Sequence, residues 1–73
     1  MAVRVFTALI HKENDVYVAE CPEVGTVSQG YSVEEAVANL KEATELYLEE
    51  MQDEIGERTW GKPIITSFEA TVA

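Results

Sequence analysis

The stretch from Ser32 to about Asp53 constrains this chain more than any other part of it. Ser32-Val33-Glu34-Glu35 has capping-box spacing, in which a serine hydroxyl and a glutamate three residues later satisfy amides that the first helical turn leaves unpaired. Past it, at about 100° per residue, Val33, Ala36, Val37, Leu40, Ala43, Thr44, Tyr47, Leu48 and Met51 fall within an arc of roughly 140°. Glu34, Glu35, Glu42, Glu45 and Glu49 take the other side. Glu54 would break the apolar arc and Gly56 follows it, so the spacing predicts a helix that starts at Ser32 and ends near Asp53 to Ile55. Such a helix has one apolar stripe and must bury it against something flat.

The flanking sequence supplies the sheet. Val3 to His11 and Val16 to Glu20 are rich in β-branched and aromatic residues and are separated by Lys12-Glu13-Asn14-Asp15, which reads as a hairpin with a four-residue polar turn. Pro22 has no amide hydrogen and interrupts pairing, after which Thr26 to Gln29 forms a brief third strand that Gly30 ends. Gly56 to Pro63 is turn-rich. Ile64 to Val72 then alternates, with Ile64, Thr66, Phe68, Ala70 and Val72 on one side, as a half-buried strand does. The fold class that follows is α+β: a two-layer β-β-β-α-β domain over residues 1–73, with one helix on one face of a small antiparallel or mixed sheet.

A chain of 73 residues buries only about 60% of the surface it exposes when unfolded, so a unit of this size depends on a staple or a partner. Cys21 is the only cysteine and His11 the only histidine, which excludes an internal disulfide and a Cys/His zinc site. A partner chain remains. The first strand is apolar on both sides, and the last has neither Lys nor Pro to guard an edge. Homodimerisation, or a dimer of dimers, through Ile64, Thr66, Phe68 and Ala70 is the expectation.

Five Lys and Arg stand against 14 Asp and Glu, for a net charge of −9. That repels phosphate backbones and anionic headgroups, so neither nucleic acid nor membrane is expected as a direct partner. The chain has no long apolar run and no signal-peptide pattern, which makes the cytoplasm the default compartment. His11 has no orienting carboxylate that the sequence can place, and reads as a strand-end surface residue. Cys21 reads as a small buried apolar group. Glu20 and Glu69 are the strand carboxylates, and no close Asp pair would hold a hard cation; Gly25 and Gly30 are turn residues rather than a phosphate cradle. The expectation is a protein that is not an enzyme, with no catalytic residue, metal or cofactor.

The charge is concentrated. Glu45/Glu49, Glu49/Asp53 and Glu50/Glu54 repel one another one turn apart, a cost that a basic partner would offset. The same face also serves as a solvated surface that keeps a small protein in solution. Glu42, Glu45 and Glu49 surround Leu46, an apolar anchor ringed by charge, and these four form the candidate partner-binding site. Trp60 is either a lid on the helix end, the reading favoured, or a contact across the dimer.

From Tyr17 through Leu48 the chain resembles the HicB-like antitoxin family. The resemblance rests on Val18-Ala19-Glu20-Cys21-Pro22-Glu23, Gly25, Val27-Ser28-Gln29-Gly30 and Ser32-Val33-Glu34-Glu35-Ala36, with Asn39, Glu42 and Ala43 on the helix. Val24 stands where a proline commonly precedes the glycine at 25, and Tyr31 where an acidic residue commonly follows Gly30. The resemblance implies a partial ribonuclease H-like fold without the catalytic carboxylates, dimers or higher oligomers, and masking of a small basic HicA-like ribonuclease toxin. Many such proteins add a DNA-binding segment; here the chain ends with the expected fourth strand, so operon repression through it is not expected. The alternative is an oligomeric protein that stands alone, without a toxin.

Overall fold

A computed structural model describes residues 3–51 and 63–73. Three strands and one helix follow in order: β1 Leu9–Glu13, β2 Val16–Cys21, β3 Thr26–Gly30 and α1 Val33–Glu50. The sheet is antiparallel in the order β1-β2-β3, with Ile10 opposite Ala19 and Ala19 opposite Ser28. The expected α+β class, with a helix against a small sheet, is therefore present.

Pairing partners share a face of a pleated sheet, so Ile10, Tyr17, Ala19, Cys21, Thr26, Ser28 and Gly30 lie on one side. That side meets α1. Ala19, Cys21, Ala36 and Leu40 form the buried core, with Phe6, Tyr17 and Val24 packed around it. Three further contacts fix the helix. The Thr26 and Thr44 hydroxyls meet at 2.6 Å, so Thr44 is buried with its hydrogen bond satisfied. The Asn39 side-chain amide donates to the Gln29 carbonyl at 2.9 Å. At Gly30 an added Cβ would lie 2.6 Å from the Ala36 nitrogen, so only glycine lets the end of β3 approach the helix start this closely.

The helix begins as its sequence predicts. Ser32 is the N-cap, and its hydroxyl accepts from the Glu35 amide at 3.0 Å. The return bond differs slightly from the usual box, since the Glu35 carboxylate accepts from the Tyr31 amide rather than from that of Ser32. The buried line is narrower than the apolar arc: Ala36, Leu40 and Thr44 are buried, while Val33, Val37 and Tyr47 keep 38–41% of their surface exposed. The expected helix end near Asp53 to Ile55, and the loop with Trp60, lie outside the described residues.

Two expectations are corrected. The first strand covers 9–13 rather than 3–11, and the hairpin turn is Asn14-Asp15 alone, with Asn14 at φ 54°. Lys12 and Glu13 pair with Tyr17 and Val16. Polar side chains cost an edge strand little because they remain in water, and asparagine tolerates the left-handed turn better than most residues. The second correction is the last strand: residues 63–73 form no ladder, and 64–73 are exposed throughout. Alternation makes a strand possible, but a strand also needs a neighbour, and no described part of the same chain is paired with this one.

Candidate functional site

Helix periodicity brings Glu42, Glu45, Leu46 and Glu49 together, since offsets of three, four and seven residues lie on one face. All four are exposed, and Leu46 is 56% accessible at the centre of the group. The helix carries Glu34, Glu35, Glu42, Glu45, Glu49 and Glu50 against Lys41. Lys41 bonds Glu45 at 3.0 Å, an exposed pair of less than about 1 kcal/mol that leaves the rest of the stripe uncompensated. No basic residue occupies the last turn, so Glu49 and Glu50 also oppose the negative end of the helix dipole. A cationic surface docked here would relieve both penalties.

The helix lies chiefly over β3 and secondarily over β2, which leaves the β1 side of the sheet partly open. Residues 3–8 form an arm along this opening. Between arm and helix runs a groove of about 360 Å³, lined by Val3, Phe6 and Ala8 on one wall and Val37, Leu40 and Leu48 on the other. Lys41 and Glu45 stand at its edge, so the groove and the acidic stripe share a border.

Glu23 holds the arm in place, a role that sequence reasoning missed. Its carboxylate accepts from the Thr7 amide at 3.0 and 3.1 Å and from the Thr7 hydroxyl at 2.9 Å. Burial pushes the Glu23 carboxyl up, but hydrogen bonds from its own amide, from Thr7 and from the Cys21 thiol outweigh this and hold it below the usual carboxylate range. The turn that presents it depends on Gly25, whose φ is 95° and whose amide donates to the Cys21 carbonyl at 2.7 Å. The available signal was the acidic residue directly after Pro22, in a turn too short to leave its side chain idle.

The remaining candidates fall out as follows. Cys21 is buried, which is the first cause of its raised thiol pKa. His11 is exposed and lies 3.3 Å from Glu13. Among the described residues no group of three or more His, Cys, Asp or Glu could hold a metal, and no helix is long and apolar enough to cross a membrane. Ile64, Thr66, Phe68 and Ala70 are exposed, with Phe68 89% accessible; the Thr66 hydroxyl reaches only the adjacent Ser67 carbonyl, at 3.5 Å.

No family model and no solved structure matches the chain. Two curated proteins do. A UPF0150 protein of Helicobacter pylori (strain J99) is 39% identical over 71 residues, covering 94% of this chain and 99% of the relative. A UPF0150 protein of Thermotoga maritima is 47% identical over 55 residues, covering 71% of this chain and 73% of the relative. With nearly its whole length aligned to one member and most of it to another, the chain belongs to the UPF0150 family.

Proposed function

We propose that this protein is a HicB-like, antitoxin-type binding protein, without catalytic activity or cofactor, that masks a small basic ribonuclease with the outer face of α1. The observation that carries the reading is Leu46, half-exposed and ringed by Glu42, Glu45 and Glu49. An apolar centre with a charged rim is the composition of a docking hot spot, and like charges one turn apart favour a partner of opposite sign. The HicB-like sequence from Tyr17 to Leu48 supports the partner class. A second reading, an oligomer with no toxin, is favoured by the exposed apolar side of Ile64 to Val72.

The test asks first whether the adjacent reading frame encodes a small basic protein, and then measures the rates at which that product binds over a salt series. Glu45→Lys with Glu49→Lys should slow association about tenfold at low salt, with the difference shrinking as salt rises, because screening acts over a Debye length of about 8 Å at physiological strength. Leu46→Asp should instead speed dissociation and leave the melting temperature nearly unchanged. Wild-type rates in both variants, or no binding by the adjacent product, would overturn the reading.

A further inference from the structure

The groove between the 3–8 arm and α1 joins an apolar lining to a local reversal of charge. Leu40 and Cys21, both buried, lie beneath it, and Val3 at its mouth is 98% exposed, so apolar surface is left in water there. Of the three Lys and Arg among the described residues, two, Arg4 and Lys41, line this groove. Glu45 is the one carboxylate beside them, and Lys41 already bonds it at 3.0 Å. Two cations against one anion make the groove positive, in a chain whose net charge is −9.

We infer that the groove binds a soluble aliphatic carboxylate of medium chain length, with its head group at Arg4 and Lys41 and its tail against Phe6, Ala8, Leu40 and Leu48. Ligand sites are mostly apolar, measure about 300–1,000 Å³ and fix orientation with a few polar groups. At about 360 Å³ this groove has the size for a small ligand. Val37 to Leu48 spans about 16 Å along α1, so a linear tail can lie parallel to the helix. An ammonium carries three donors, so the bond from Lys41 to Glu45 leaves donors for a second carboxylate. A guanidinium carries five, in a fork that matches a carboxylate edge.

Charge selects this ligand over its relatives. A cationic amphiphile would be repelled by Arg4 and Lys41, and a neutral one would gain nothing from them. An anionic bilayer would face the whole acidic surface, whereas a single carboxylate responds to charges within a Debye length of about 8 Å. This site is independent of the toxin reading, since the acidic stripe reaches the groove only at Glu45.

Titration of the 15N-labelled protein with decanoate, kept below its micellar concentration, tests the inference. Amide signals of residues 3–8 and of Val37 to Leu48 should shift with a Kd of about 0.1–1 mM, which about a dozen heavy atoms can supply. Each two-carbon shortening, to octanoate and then hexanoate, should weaken binding about fivefold, because an open groove buries only part of each methylene. Decanol and decyltrimethylammonium should bind at least fivefold more weakly than decanoate. Arg4→Gln with Lys41→Gln should cost decanoate about tenfold while leaving decanol affinity and the helical circular-dichroism signal unchanged. Vesicles of phosphatidylcholine and phosphatidylglycerol should not retain the protein. Should the double variant fail to fold, the three head groups compared on the wild type decide alone. Equal binding of those head groups, unchanged decanoate affinity in the folded variant, binding to vesicles alone, or shifts confined to residues 64–73 would each overturn the assignment. So would the absence of a saturable shift, the result expected if a second copy already fills the groove.

Discussion

The block formed by β2, β3 and α1 differs sharply from the two terminal segments, although both are rich in apolar residues. In the block, small side chains let backbones approach: Ala19 and Ala36 are fully buried, and Gly30 abuts the helix start. Each polar group that enters it has a partner, as with Thr44 on Thr26. The segments 3–8 and 63–73 have larger side chains and leave most of them in water, Val3, Val5, Ile64, Phe68 and Val72 above all, with Phe6 packed against the core as the exception. Apolar composition is thus not what orders a region. Order comes from a second surface close enough to exclude water, and among the described residues the block has that surface along its whole length while the terminal segments have it only at Phe6 and Thr7.

If this contrast is right, the largest effect in the molecule should come from its smallest side chain. Gly30→Ala must push the Ala36 backbone away, at a cost of about 2–3 kcal/mol and roughly 10–20 °C in Tm for a domain of this size. Thermal unfolding by circular dichroism checks it, and a loss below about 0.5 kcal/mol would mean that the close approach at β3 is not what holds the block.

Glu23 joins the two regions, so its removal sharpens the comparison. Glu23→Gln should cost about 1 kcal/mol near pH 7, because the half-exposed carboxylate loses charge-assisted bonds that water partly screens. Its carboxyl is depressed in the folded state, so the stabilisation is complete above the ordinary value of 4.5 and disappears as pH falls through the lower folded value. The difference between wild-type and variant melts should close from pH 6 down to pH 3, and a constant difference would contradict the clamp. Hydrogen exchange at residues 3–8 should quicken in the variant while the β2–β3 amides hold.

The smallest effect should be Ser32→Ala. It removes the exposed cap of the Glu35 amide, for about 0.5 kcal/mol, lowering helix stability at its first turn without altering the arm. Urea midpoints with an unchanged slope would establish this.

Local interactions account for what was legible in advance. The Ser32 cap, the helix face carrying Glu42, Glu45, Leu46 and Glu49, and strands β2 and β3 depend on neighbours within a few residues or on simple periodicity, and each appears where the sequence places it. The shift of β1 was less legible because hydrophobicity was given more weight than the turn at Asn14, which sets the register. The groove and the Glu23–Thr7 clamp were not legible at all, since they join residues 16 or more positions apart.

By itself, then, the sequence determined one capped amphipathic helix, short antiparallel strands before it, and an acidic face with Leu46 at its centre. Tertiary structure alone decided which strand lies at the edge, that α1 sits over β3 and β2 rather than β1, and that Ile64 to Val72 has no ladder with any described part of its own chain. The reason is physical. Caps and helix faces are fixed by bonds and angles over one or two turns, whereas pairing and cover depend on which distant surfaces meet, and an alternating pattern is equally compatible with a neighbour from the same chain or from another.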